Sequence, residues 1–307
     1  MRKISRRSFL RAAGGAGFTA AAGCVTAHTR QGYIDAHVHV WPTSTAKYPL
    51  APNMTKGGCV DSFTPEQLFA HCRPEGVTRI VLIQMSFFKF DNSYMLDVIE
   101  NYPGVFSGVG IVNEHEADVS RRMKELGKRG VRGFRIHAGG EKDPGRWLGT
   151  PGMAEMWRIA ADEGFSICPL ISPEALPFIG EMCANYPRTS VVVDHFARIG
   201  VAGSIARADL DPLLKLSKHP QVHVKASAFY VLGKREAPYL DLSPMIRTCC
   251  DHFGAQRLMW ASDSPFQVNP GHTYHDSIAL IRDQLDFLSA KDKEWLLRRT
   301  AEKVFWS

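Results

Sequence analysis

The chain has 307 residues, 45% of them hydrophobic and 22% charged, with 26 Gly and 18 Pro, a balance that excludes a disordered chain or a fibrous repeat and suits one large globular domain or two small ones. Of the formal charge of +6, five positive residues (Arg2, Lys3, Arg6, Arg7 and Arg11) lie in the first 27 residues with no acidic residue beside them, which leaves +1 for the remainder. A nearly neutral remainder without a basic tract gives a nucleic acid nothing to bind.

The first element is a targeting segment. Ser5-Arg6-Arg7-Ser8-Phe9-Leu10-Arg11 is a twin-arginine export signature, followed by the small, weakly apolar stretch Ala12 to Gly23 and a small-residue processing region ending near Ala27. The expected division is residues 1–30 as leader and 31–307 as the folded domain, with the export machinery as a partner and the periplasm as destination. Cys24, after Ala21-Ala22-Gly23, is an alternative lipid-attachment site, although Ala21 stands where such sites usually carry Leu or Val. The other six cysteines show neither C-x-x-C pairs nor zinc-ribbon spacing and read as buried small hydrophobes, without a pairing that the sequence selects.

From residue 33 onward, short β-branched or apolar runs alternate with amphipathic segments of helical period. The predicted strands are Tyr33 to Val40, Arg79 to Met85, Phe106 to Val112, Val131 to His137, Phe165 to Leu170, Ser190 to His195, Val222 to Ser227 and Leu258 to Asp263. Between them fall helices. Thr64 to Arg73 carries Thr64 as N-cap, Pro65 at the first position and Gln67 at the capping-box position; Ala117 to Lys128 precedes a glycine stop; Lys291 to Phe305 closes the chain. Eight βα units suit a (β/α)8 barrel, whose usual length is about 250 residues. An open doubly wound sheet is the alternative, but it calls for a Gly-rich phosphate turn where the first strand here runs into His-Val-His-Val-Trp.

Period-two alternation places Asp35, His37 and His39 on one face of the first strand, with both imidazoles near its C-terminal end, where barrel active sites form. Two such histidines can converge on one ion or one substrate oxygen, or serve as a structural pair. On the last strand Arg257, Met259, Ala261 and Asp263 share a face, so Asp263 meets the histidines across the mouth unless it merely caps the Ser264-Pro265 turn. The sixth strand is read with Val191, Val193 and His195 facing one way. On the fourth strand Arg135 and His137 face together, opposite Arg132. Arg135 is read as a bidentate clamp for a substrate carboxylate with His137 assisting, or else as half of a structural ion pair. Lys225 on the seventh strand is a second anion contact or a paired lysine, Gln84 is a polar contact at the end of the second strand, and His272 with His275 forms a weaker helical metal pair.

Tyr-Ile-Asp-Ala-His-Val-His-Val-Trp, Val-Asp-His after an apolar strand, and Met-Trp-Ala-Ser-Asp-Ser-Pro-Phe together resemble the amidohydrolase-related metal-dependent hydrolases, over essentially the whole of the chain beyond the leader. Among these the chain is most similar to the lactonase-like branch, which acts on sugar-acid lactones and pyrone dicarboxylate lactone. The resemblance implies a distorted TIM barrel with its pocket at the C-terminal mouth. It implies metal or substrate contacts at His37 and His39, a later histidine at His195, and Asp263 as general base.

The departures narrow the chemistry. The fourth strand has no bridging Lys or Glu near its end and the fifth reads Ile167-Cys168-Pro169-Leu170 without a histidine, so the ligand set of a dinuclear site is incomplete. His37, His39, Asp263 and His195 are left to hold one divalent ion, zinc or manganese, or to act without one. The family's Trp after the final-strand Asp is Ser264 here. The reaction read from these residues is opening of a small, anionic lactone by water that Asp263 deprotonates, at a carbonyl polarised by the ion or by the His and Arg side chains. The alternative is metal-dependent, non-oxidative decarboxylation of an unsaturated or aromatic acid, whose usual fifth-strand histidine is replaced by Cys168 or Leu170.

Overall fold

The computed structural model describes residues 32–137 and 142–306. The leader, Cys24 and the processing site lie outside the described residues. The strands are β1 (Tyr33–Val38), β2 (Val77–Ile83), β3 (Phe106–Gly110), β4 (Val131–Ile136), β5 (Ser166–Pro169), β6 (Ser190–Val193), β7 (Val222–Ala226) and β8 (Leu258–Trp260). Each pairs in parallel with the next. Between and after them run α1 (Pro65–Cys72), α2 (Ser93–Asn101), α3 (Val119–Lys128), α4 (Pro144–Leu148), α5 (Pro151–Glu163), α6 (Leu176–Asn185), α7 (Arg207–Lys215), α8 (Ser243–Phe253), α9 (Tyr274–Ala279), α10 (Ala290–Glu294) and α11 (Thr300–Phe305). This is the expected distorted (β/α)8 barrel. No described helix is long and apolar enough to cross a membrane.

Local chemistry explains the element ends. Thr64 Oγ1 accepts from the Gln67 amide while Gln67 Oε1 accepts from the Thr64 amide at 2.7 Å, so the predicted capping box starts α1. The predicted C-terminal helix is one run from Ala290 to Phe305, with a π-helical segment at Trp295–Arg299. Most strands stop earlier than their apolar runs suggest. Their last residues leave the ladder and become the loops of the barrel mouth.

The strand side chains divide by parity into two buried layers. Val38, Leu82, Phe134, Val191, Val193, Val224 and Trp260 pack outward on the helices. Ile34, Ala36, Val81, Ile83, Val109, Cys168, Val192, Met259 and Ala261 fill the lumen, together with Ala301 and Phe305 from α11. Burying a side chain the size of Phe305 contributes about 1.5–3 kcal/mol. Such a lumen is a packed core whose open end is the C-terminal mouth. The six described cysteines are all free, four of them buried and Cys59 and Cys250 half-buried.

Candidate active site

Strict alternation along β1 is interrupted. The register against β2 slips between Asp35 and Val38, a bulge that puts two successive residues on the same side. Ala36 and His37 therefore both face the lumen, His39 follows, and Asp35 turns outward. It is enclosed, accepting from the Ser262 amide at 2.9 Å and the Tyr274 hydroxyl of α9 at 2.7 Å, and burial raises its pKa to about 6. The expectation that Asp35 shares the face of the two histidines is thus corrected by the bulge.

The barrel closes at the same place. The Asp263 amide donates to the His37 carbonyl at 2.9 Å and the His39 amide to the Ser264 carbonyl at 2.8 Å. These bonds lock the end of β1 to the segment after β8, with Asp263 itself in the left-handed region at φ 64°. Their consequence is a triangle of donor atoms. His37 Nε2 and His39 Nε2 are 3.3 Å apart, and they stand 3.5 and 3.3 Å from Asp263 Oδ1. Burial would raise Asp263, but the imidazoles of His195, His39 and His37 outweigh it and hold the carboxyl well below the usual carboxylate range. Tyr230, in the loop after β7, donates to Asp263 Oδ2 at 2.7 Å.

On β6 the parity set by Val192 makes Asp194, not His195, the inward residue. His195 enters the site because the chain then winds left-handed: His195, Phe196, Ala197 and Arg198 have φ of 53°, 50°, 53° and 62°. Such a conformation costs roughly 1–2 kcal/mol per residue. The expected face shared by Val191, Val193 and His195 is therefore corrected: the two valines pack outward and the turn brings His195 back. Its Nδ1 lies 2.8 Å from Ser227 Oγ and its Nε2 3.8 Å from Asp263 Oδ2.

Asp194 is the hub of a buried charge cluster that the sequence reading missed. It lies 3.1 Å from Arg135 Nη2, 3.0 Å from Lys225 Nζ and 3.4 Å from His37 Nδ1. Although burial opposes it, Lys225, His37 and Arg135 hold its carboxyl far below the ordinary range. Lys225 is fully enclosed, so its expected contact with a substrate anion gives way to the structural pair. Arg135 also points Nη2 at His37 Nε2, 2.9 Å away, and is half of a buried ion pair. It still lines the cavity at the mouth, and its buried Nε has no hydrogen-bond partner.

The donor set fits one divalent ion. Tetrahedral zinc with bonds of about 2.0–2.1 Å spaces its ligands about 3.3–3.4 Å apart. His37, His39 and Asp263 come together in this way among the described residues, and Asp263 Oδ1 is buried without a hydrogen-bond partner. His39 Nδ1 lies 2.9 Å from the Ile83 carbonyl, which fixes the proton there and turns the Nε2 lone pair inward. Burial, then Lys225, keeps His37 neutral; Asp194 and Lys225 both approach its Nδ1, and Arg135 Nη2, which can only donate, lies at its Nε2, so the lone pair on Nε2 faces the same point. Arg135 competes for that lone pair and must yield it to an ion.

The remaining candidates are dispersed. Gln84 is buried, bonds the Asp91 carbonyl and does not line the reactive cavity. His137 borders a neighbouring cavity, its pKa lowered by burial and by Arg135. His272 pairs with Tyr239 at 2.8 Å and His275 with Glu75 at 2.9 Å, and neither joins the metal cluster. On β5 Cys168 faces the lumen, its thiol pushed up to about 12 by burial, and Leu170 follows at the cavity wall, so neither position expected for a decarboxylase's histidine offers an imidazole.

His39, Arg135, His195, Tyr230, Asp263 and Phe266 line a cavity of about 270 Å³ at the mouth. The sequence profile of the amidohydrolases matches residues 34–306. The chain belongs to the amidohydrolase family. This amidohydrolase is 28% identical to the L-fucono-1,5-lactonase of Burkholderia ambifaria over 78% of its own length and 82% of the relative's. It is 25% identical to the 4-sulfomuconolactone hydrolase of Rhizobium radiobacter, over 76% of each chain. An amidohydrolase from Burkholderia multivorans solved with bound zinc has the same fold, with a TM-score of 0.77 at 21% identity, over 89% of this chain and 99% of that one. Family and curated relatives together make the protein an enzyme of the hydrolase class, with lactone opening as the relatives' shared reaction.

Proposed function

We propose that the enzyme opens a small anionic lactone by attack of water that Asp263 deprotonates. The observation that carries the reading is the convergence of buried, unpartnered Asp263 Oδ1 with the inward lone pairs of His37 and His39 in a cavity open to solvent. Tyr230 and His195 flank Oδ2 and hold the carboxylate with its other oxygen toward the reacting atoms. Asp263, having taken the water proton, can return it to the departing ring oxygen. A zinc or manganese ion at His37, His39 and Asp263, with His195 beside it, would supply carbonyl polarisation. Arg135, which lines the reactive cavity and the neighbouring one that His137 borders, takes a substrate carboxylate oxygen. The relatives' names, a sugar lactone and a sulfonated muconolactone, support a polar lactone as substrate class.

Proton release at constant pH, over acidic and neutral lactones and with or without prior chelation, tests the reading. Ring opening abolished by chelation establishes the ion as the polarising group, whereas opening that survives assigns that part to His37, His39 and Arg135. No proton release from any lactone would overturn the reading.

We also infer export through the twin-arginine machinery to the periplasm, from Arg6 and Arg7 ahead of the Ala/Gly-rich stretch. Replacing both by Lys should leave the enzyme in the cytoplasmic fraction; unchanged periplasmic recovery would reject this route.

A further inference from the structure

The chain segments that carry the donor triangle are joined by one buried carboxylate. Asp35 is fully enclosed, and among the described residues its partners are hydrogen-bond donors, with no Lys, Arg or His side chain paired to it. Burying a carboxylate is unfavourable, and a cation is its ordinary compensation. Asp35 instead commits both oxygens to three donors. Oδ1 accepts from the His37 amide at 3.2 Å and from the Ser262 amide at 2.9 Å, and Oδ2 accepts from the Tyr274 hydroxyl at 2.7 Å. A single oxygen therefore ties the residue that carries the first imidazole to the residue that precedes Asp263.

The closing segment passes this constraint on. The Ser262 hydroxyl donates to Ser264 Oγ at 2.9 Å and accepts from the Ser264 amide at 3.0 Å, so Asp263 stands at the centre of a turn whose two flanks are bonded to each other. The Ser264 carbonyl takes the His39 amide, and the Asp263 amide goes to the His37 carbonyl. All three members of the triangle are thus attached through their main chain to a network that begins at Asp35. Tyr274 anchors the outer oxygen, with its buried ring against Trp260 of β8 at 5.8 Å.

We propose that Asp35, anchored by Tyr274, is a positioning residue of the site: it sets the spacing of His37, His39 and Asp263 by fixing the bulge of β1 against the turn that carries Asp263. It does not line the reactive cavity, so it acts through the triangle and not on the substrate. The effect on turnover rests on the lactonase reading; the effect on spacing does not.

Asp35→Leu removes every acceptor and leaves the His37 and Ser262 amides unpaired. Asp35→Asn keeps one acceptor oxygen for both amides and turns its NH2 to the Tyr274 hydroxyl, which can accept. Thr189→Val, which deletes the buried bond from Thr189 Oγ1 to the Trp157 carbonyl just before β6, is the control for a loss of stability away from the mouth. Crystal structures, zinc affinity and lactone turnover are compared below the Tm of every variant. In Asp35→Leu at least one side of the triangle should open by more than about 0.5 Å, zinc affinity should fall about tenfold to a hundredfold, and kcat should fall with KM within about twofold. Asp35→Asn should recover most of the zinc affinity, and Thr189→Val should show none of these changes. A triangle that keeps its spacing in Asp35→Leu, equal losses in Asp35→Leu and Asp35→Asn, or zinc affinity lost equally in Thr189→Val would overturn the proposal. If Asp35→Leu does not fold, Tyr274→Phe decides: it frees Oδ2 alone and should weaken zinc binding in the same direction, and unchanged affinity with unchanged spacing overturns the proposal. If no lactone is opened, the lactonase reading fails while spacing and zinc affinity still decide; if zinc is not bound either, the spacing decides alone.

Discussion

The Tyr230 hydroxyl donates to Asp263 Oδ2 at 2.7 Å, and the opposite oxygen of that carboxylate is the one that faces His37 and His39. Burial and the neighbouring carboxylate push the phenol pKa upward, so Tyr230 stays a donor throughout the working pH range. A hydrogen bond to a charged group contributes about 1.5–3 kcal/mol. Tyr230→Phe should therefore lower kcat about tenfold to a hundredfold with KM within about twofold, read from steady-state kinetics. A raised KM with unchanged kcat would make Tyr230 a substrate contact instead.

Asp194 neutralises two buried cations at once. Asp194→Asn leaves Lys225 and Arg135 enclosed without their counter-charge, and breaking such a pair costs about 3–5 kcal/mol. The expected fall in Tm is about 6–20 °C for a domain of this size. Removing Lys225 as well, in Asp194→Asn with Lys225→Met, should recover at least part of the loss, because one enclosed charge disappears. A single variant with wild-type Tm, or a double variant less stable than the single, would contradict the cluster's role.

These two predictions also mark what the sequence conceals. Period two along β7 brings Lys225 to the lumen, and the lumen face of Met259 and Ala261 leads to Asp263, which follows β8 in the closing segment. It fails on β1 because a bulge spends an extra residue, and on β6 because His195 reaches the site through a left-handed turn that no alternation encodes. The signal for Asp194 was present: counting by two from Val192 reaches it. Tyr230 lies in a short 3-10 turn, Phe229–Val231, whose placement depends on tertiary packing, so nothing in its neighbourhood singles it out. Arg135 and Lys225 were legible as inward cations, but their shared partner is distant in sequence and was invisible without the fold.

Asp263 sits where a base and a metal ligand coincide. Asp263→Asn keeps the shape and the Tyr230 contact but removes the charge and the basicity. Turnover should drop by about 10²–10⁴-fold, and zinc affinity, read by competition with a chromophoric chelator, should fall with it. The Tm should fall by less than in Asp194→Asn, because Asp263 is not the counter-charge of the enclosed Lys225 and Arg135. Turnover within about twofold of wild type would remove Asp263 from the chemistry.

His223 offers a pH test away from the mouth. It lies near the N-terminal end of β7, 6% exposed, with its Nδ1 unpartnered. Burial, and then the charge of Lys303 on α11, lowers its pKa from 6.5 to about 4. The folded enzyme therefore prefers the neutral imidazole, while the unfolded chain takes up a proton below pH 6.5. Between these values the unfolded state holds more protons, so stability rises with pH; the contribution is complete above about pH 6.5 and lost as pH falls toward 4. At about 1.36 kcal/mol per pH unit this amounts to about 3 kcal/mol over the whole window. His223→Gln has no proton to gain. Urea unfolding at about pH 7.5 and about pH 4.5 should show the wild type losing about 2–3 kcal/mol more than the variant between the two. The pH dependence of turnover should be the same for both, since His223 touches neither the donor triangle nor the cavity. Equal losses in the two proteins would mean that His223 is protonated in the folded barrel.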